Sequence, residues 1–182
     1  MSTLDRLVPG AWTFDPVHSE VGFTVRHAGI SKVHGTFREV TASLNVGEQV
    51  EDSTIEATVQ TASVDTANSD RDVHLRSEDF FNVEKFPTMT FTSSSVELAG
   101  GEGTITGELT LNGVTKVVEL ETEFNGVVVD AFGATRAGFE AKATISRKEF
   151  GLTWNAAIEA GGMLVSDKVV INLDVAFTAP EA

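Results

Sequence analysis

The stretch Ile105-Thr106-Gly107-Glu108-Leu109-Thr110-Leu111-Asn112-Gly113-Val114-Thr115-Lys116-Val117-Val118-Glu119-Leu120 decides the fold class. Ile105, Gly107, Leu109 and Leu111 alternate with Thr106, Glu108 and Thr110, the period of a strand with one buried face. Asn112-Gly113 follows, a pair that tolerates two successive left-handed residues and so favours a two-residue hairpin. Val118, Leu120 and Phe124 carry the return strand, which reads as ending at a second Asn125-Gly126.

The same alternation extends in both directions. Upstream it runs through Val21, Phe23 and Val25, then Val40, Ala42, Leu44 and Val46, then Ile55, Ala57 and Val59. Met89 and Phe91 begin a run that Val96 and Leu98 continue. Downstream, Ala137, Phe139, Ala141, Ala143 and Ile145 form one face, and Val169, Ile171, Leu173, Val175 and Phe177 another. The chain has 23 Val and 21 Thr against 11 Leu, the bias expected of pleated, half-buried strands. The pattern predicts an all-β fold of about eight strands, mostly antiparallel.

Two interruptions stand out. Between Phe37 and Val40 the apolar phase slips by one residue, predicting a bulge near Arg38-Glu39. Residues 68–86 read as a helical insertion, with Val73, Phe80 and Phe81 near one face and Pro87 ending it. Ser77, followed by Glu78-Asp79, reads as the N-cap of a second short turn. Gly100-Gly101-Glu102-Gly103 and Gly161-Gly162 read as turns.

Composition narrows the function classes. At 182 residues the chain suits one domain, and its apolar runs are far shorter than the ~20 residues a membrane helix needs. No basic cluster followed by an apolar block opens the sequence, which predicts a cytoplasmic protein without stable membrane insertion. A formal net charge of -14 disfavours nucleic acid. The absence of cysteine removes disulfides, thiolate metal sites and thiol nucleophiles.

No G-x-S-x-G elbow, H-E-x-x-H helix, P-loop or dinucleotide fingerprint is present, so no catalytic or metal-ligating residue is assigned. His18, His27, His34 and His74 read as hydrogen-bonded structural histidines rather than as a zinc set, which needs three or four converging ligands. An eight-stranded closure can hold one small apolar ligand. Small residues such as Gly107, Ala141 and Ala143 would leave room inside, although periodicity alone does not choose between cavity and packed core. Arg71, His74 and Arg136 are candidates to hold a polar head group at a cavity mouth, whereas Arg76 reads as ordinary surface charge. Trp12 and Trp154 suit either a ligand site or core and rim packing.

Several stretches together resemble the YceI-like family. They are Trp12-Thr13-Phe14-Asp15-Pro16-Val17-His18-Ser19-Glu20-Val21-Gly22-Phe23-Thr24-Val25-Arg26-His27 and Gly35-Thr36-Phe37, then Arg71-Asp72-Val73-His74-Leu75-Arg76-Ser77-Glu78-Asp79-Phe80-Phe81 with Phe86-Pro87-Thr88-Met89-Thr90-Phe91. Leu109 to Lys116, Arg136 to Ala141 and Ile145-Ser146-Arg147-Lys148-Glu149-Phe150-Gly151 continue the likeness. It covers residues 11–178 as one barrel domain, with 1–10 and 179–182 as tails. The resemblance implies an eight-stranded antiparallel lipocalin-like barrel and a homodimer. It also implies a long amphiphile, such as a polyisoprenoid, an isoprenoid quinone or a fatty-acid amide, with its tail in the barrel. The expected function is non-catalytic carriage or storage of that lipid, with no other cofactor. The expected liners are Phe23, Val25, Phe37, Phe91, Leu109, Leu120 and Phe139, with Phe80, Phe81 and Trp154 at or beside the mouth. The alternatives are an enzyme acting on a bound isoprenoid or quinone through His27, His34 or His74, and a stress-response interaction module with a packed interior.

Overall fold

A computed structural model describes residues 3–158 and 162–181. The tail readings at residues 1–2 and 182, and Gly161 of the Gly161-Gly162 turn, lie outside the described residues. The strands are β1 (Gly10–Phe14), β2 (Glu20–His27), β3 (Ser31–Phe37), β4 (Val40–Val46), β5 (Thr54–Gln60) and β6 (Val64–Asp65). After helix α1 (Ser69–Arg76) come β7 (Thr88–Ala99), β8 (Glu102–Leu111), β9 (Val114–Val129), β10 (Thr135–Ser146) and β11 (Val165–Thr178).

These strands make eight staves. β2 pairs with β3 and β1 with β4, so β1–β2 and β3–β4 are two long staves of one hairpin, each broken by a bend. β5 and β6 form a third stave, pairing with β4 and β3 in turn. β7 to β11 continue the meander, and β11 closes the ring by pairing with both β1 and β2. Every strand pairing among the described residues is antiparallel. The result is a closed eight-stave barrel: the alternation anticipates about eight antiparallel strands, and the family resemblance anticipates their closure.

Local chemistry explains the joints. Leu111 pairs with Val114 across Asn112-Gly113, whose φ values of 54° and 74° are both left-handed, as a two-residue hairpin turn requires. Asn125-Gly126 behaves differently from its reading as a strand end. β9 runs through it to Val129, and the partner register jumps from Gly126 opposite Gly138 to Phe124 opposite Phe139. Asn125 is therefore the extra residue of a bulge, which Gly126 permits by taking φ of 115°. The phase slip at Arg38-Glu39 is a break between β3 and β4 rather than a bulge within one strand. The third stave bridges that break, because Arg38 N–H donates to the Ser63 carbonyl and Gln60 N–H to that of Glu39. A bulge does lie in β7, where the register shifts between Ser93 and Ser95 and so carries the inward face from Phe91 to Val96.

The insertion is less helical than the 68–86 reading. α1 covers only Ser69–Arg76, started by the Asn68 side chain accepting from Arg71 N–H. Ser77 ends this helix, its hydroxyl donating to the His74 carbonyl, and it also caps the short turn read there, its Oγ accepting from Asp79 N–H and its carbonyl from Phe80 N–H. Turns carry the chain from there to Pro87 because Asn82 sits at φ of 46°, outside the helical region.

One end of the barrel is packed shut. Leu7 joins Trp12, Leu44, Val46, Phe124, Val127, Ala137, Phe139 and Phe177 in one buried cluster, with Leu4 of the 3₁₀ turn Thr3–Arg6 against it. The Trp12 indole donates to the Val8 carbonyl, which fixes the entering chain across this end. Here Trp12 is core rather than ligand wall. The β2–β3 turn, α1, residues 147–154 and Leu164 border the opposite end.

Candidate functional site

A cavity of about 590 Å³ fills the barrel between the packed end and the α1 end. Its walls are the inward faces of the staves. Phe23, Val25, Phe37, Phe91, Leu109, Leu120 and Phe139 all line it. Phe80, Phe81 and Trp154 line it as well, at the α1 end. Side chains therefore do not fill the interior completely.

Two wall aromatics owe their positions to glycine. A Cβ on Gly35 would lie 2.2 Å from the Phe23 ring, and one on Gly107 would lie 2.5 Å from Phe91 Cζ. Each ring tip occupies the space that a Cβ on the neighbouring strand would take. Gly107 thus provides a seat for a ring rather than the empty room its size suggests. Phe37 packs at a tilt on Phe23 and edge-on to Phe81, at centroid distances of 5.7 and 5.5 Å, and carries the aromatic wall up to the mouth.

At the mouth, three rings pack together. His74 meets Trp154 edge-on at 4.6 Å and Phe80 at 5.0 Å, and Phe80 lies 5.3 Å from Trp154. His74 Nε2 lies 2.8 Å from Asp79 Oδ2, which orients the imidazole. Arg71 reaches the same cavity, with Nε donating to Thr66 Oγ1 at 2.7 Å and Nη2 to the Thr66 carbonyl at 2.8 Å. Thr66 in turn donates N–H and hydroxyl to the buried Asp72 carboxylate. Arg76 ties α1 to the third stave through the Ala62 and Val64 carbonyls.

Arg136 is not at this mouth. It sits at the packed end, paired with Asp130 at 2.6 Å and with Asp15. The four histidines have separate surroundings: His18 bonds Asp15, His34 bonds Thr24, His74 bonds Asp79, and His27 lines the mouth.

Arg147 is a buried, charged wall residue that the sequence reading did not single out. It is only 3% exposed, and it lines the cavity. Nε donates to the Ser166 carbonyl, Nη1 to those of Leu152 and Trp154, and Nη2 to that of Val165. Burial pulls the guanidinium below its ordinary pKa, while the charge of Asp167 acts in the opposite direction. It stays protonated at neutral pH and ties Leu152 and Trp154 to the start of β11. A signal was available: Arg147 continues the odd-numbered inward face of Ala137, Phe139, Ala141, Ala143 and Ile145.

Residues 12–177 match the YceI-like domain. The chain belongs to the YceI-like family. It is 46% identical to Protein YceI of Salmonella arizonae over 137 residues, which is 75% of this chain and 72% of the relative. The crystal structure of the Campylobacter jejuni YceI protein is 34% identical with a TM-score of 0.73, covering 93% of this YceI-like chain and 98% of that one. A polyisoprenoid-binding domain from Saccharophagus degradans has the same fold at 16% identity, with a TM-score of 0.69 over 95% of this chain and all of that one. In this YceI-like chain no helix among the described residues is long and apolar enough to cross a membrane.

Proposed function

We propose that this chain binds one long-chain amphiphile, a polyisoprenoid or isoprenoid quinone, and carries or stores it chemically unchanged. The observation that carries this reading is the apolar cavity itself, walled by every stave and closed at one end. Each buried methylene contributes about 0.8 kcal/mol, so ten to fifteen of them give roughly 8–12 kcal/mol before ordering costs. The polar groups Arg71 and His74 stand where a head group would emerge, and we assign them that contact. The ligand class named for the Saccharophagus degradans domain supports the same choice.

The test is organic extraction of the purified protein followed by mass spectrometry, for the native chain and for Ala141→Phe. Ala141 lines the cavity, so an added ring fills free space there. The expected result is a stoichiometric prenyl lipid from the native chain, near-complete loss in the variant, and an unchanged or raised melting temperature. An empty extract after incubation with prenyl lipids and quinones would overturn the proposal. Recovery of a chemically altered lipid, with the conversion lost in His74→Gln, would replace carriage with catalysis.

A further inference from the structure

We propose that the rim formed by the β2–β3 turn and by Met163 and Leu164, just before β11, docks on an anionic phospholipid bilayer, so that the cavity opens onto the membrane. This rests on the amphiphile-binding reading, because a prenyl lipid resides in a bilayer and has to cross water to reach a carrier. Two strongly exposed apolar side chains mark the rim: Ile30 is 85% exposed at the β2–β3 turn, and Met163 is 58% exposed before β11. The two segments are joined directly. Ala28 N–H donates to the Leu164 carbonyl at 2.7 Å, and His27 pairs with Val165. His27, Leu164 and Val165 all line the cavity, so Ile30 and Met163 flank its opening.

Charge points the same way. The chain carries 13 basic residues against 27 acidic ones. Even so, four exposed cations gather on the staves beneath this rim. Arg26 and Lys32 face each other across the β2–β3 hairpin, while Lys168 lies opposite Ser146 and Lys148 lies just beyond it. Among the described residues the acidic neighbours are Glu149 and Asp167, and Asp167 accepts from the Ser146 hydroxyl and the Lys148 backbone N–H. The α1 side of the mouth carries exposed Asp70, Glu78 and Asp79, which an anionic surface repels, so the molecule leans on its β2–β3 side. Apolar tips that enter the headgroup layer beneath a ring of cations are the recognised physical means of peripheral attachment. Phe132, 96% exposed in the turn after β9, is at the packed end and supplies a control.

The experiment is flotation of the full chain with phosphatidylcholine vesicles, alone or mixed with phosphatidylglycerol, at low and high salt. The native chain should float with the mixed vesicles and be released by salt. Ile30→Ser/Met163→Ser and Arg26→Gln/Lys32→Gln should each reduce bound protein about tenfold, and Phe132→Ser should behave as native. Circular dichroism and capture of a fluorescent prenyl probe in vesicle-free buffer confirm that the variants fold and keep the cavity. Absence of flotation by the native chain, native-like flotation of both rim variants, or loss in Phe132→Ser alone would each overturn the docking proposal. Flotation without probe capture would leave the rim intact and remove the carrier reading instead.

Discussion

Gly107 shows how one missing side chain shapes the cavity. An ideal Cβ there would lie 2.5 Å from both Phe91 Cζ and the Thr92 carbonyl oxygen. The ring can swing into the cavity, but the backbone oxygen cannot yield cheaply. Gly107→Ala should therefore cost about 1–3 kcal/mol in a denaturant titration, and it should also lower prenyl-probe capture as Phe91 is pushed inward. A stability equal to native would show that the strand relaxes freely. At this scale the alternation of the sequence places the inward apolar residues, because strand period and barrel curvature leave them no other direction. It does not reveal which small residue is a seat for a ring, since that depends on the neighbouring strand. Arg147 escaped for a related reason. Its parity is inward, yet its burial depends on four carbonyls from two segments that meet only in the folded barrel.

At the scale of elements, α1 is polar and is held by specific bonds rather than by a broad apolar face. Asp72 is buried and takes both the N–H and the hydroxyl of Thr66, the same residue that Arg71 grips. Asp72→Ala leaves those donors without their acceptor, a loss of about 1–3 kcal/mol. The expected signature is faster hydrogen exchange across residues 66–76, with the β8–β9 hairpin protected as in the native chain. Uniform acceleration throughout the barrel would show that α1 is part of the global folding unit instead. The staves were legible because each is a long alternating run, and their joints less so. Two Asn-Gly pairs, one before β9 and one inside it, make the point. Asn112-Gly113 turns the chain, while Asn125-Gly126 only bulges it, because Val127, Val128 and Val129 continue the strand against Thr135, Arg136 and Ala137. A dipeptide carries a local preference, and the adjacent strand decides its use. The mouth is legible only in composition, since the contact of His74 with Trp154 spans 80 residues of sequence.

On the scale of the whole molecule, the packed end depends on a charge triad that joins distant parts of the chain. The Arg136 hydrogen bond holds the Asp130 carboxyl below the ordinary range. Burial pushes Asp15 upward, but hydrogen bonds from His18 and the Val17 backbone, together with the charges of His18 and Arg136, leave it lowered as well. A carboxylate with a depressed folded pKa stabilises the fold fully above its unfolded value of about 3.9, and this contribution drains away as pH falls through the folded value. The native chain should therefore exceed Arg136→Gln in denaturant midpoint by a constant margin from neutral pH down to about pH 4, with the gap narrowing below that. A margin that does not change with acidification would remove the triad from the account of acid stability. The fold class was legible at this scale, and so was the family, because every stave contributes its own pattern. The position of Arg136 was not, since a cation beside a barrel strand reads alike at either end. The seam that closes the ring has a consequence for biosynthesis. Thr13 pairs with Thr178, so the first strand waits for the last, and the loop it must close spans almost the entire chain. Until β11 leaves the ribosome, the nascent barrel is an open curved sheet with bare edges at β2 and β10, the segments on which a chaperone or a neighbouring nascent chain would act first.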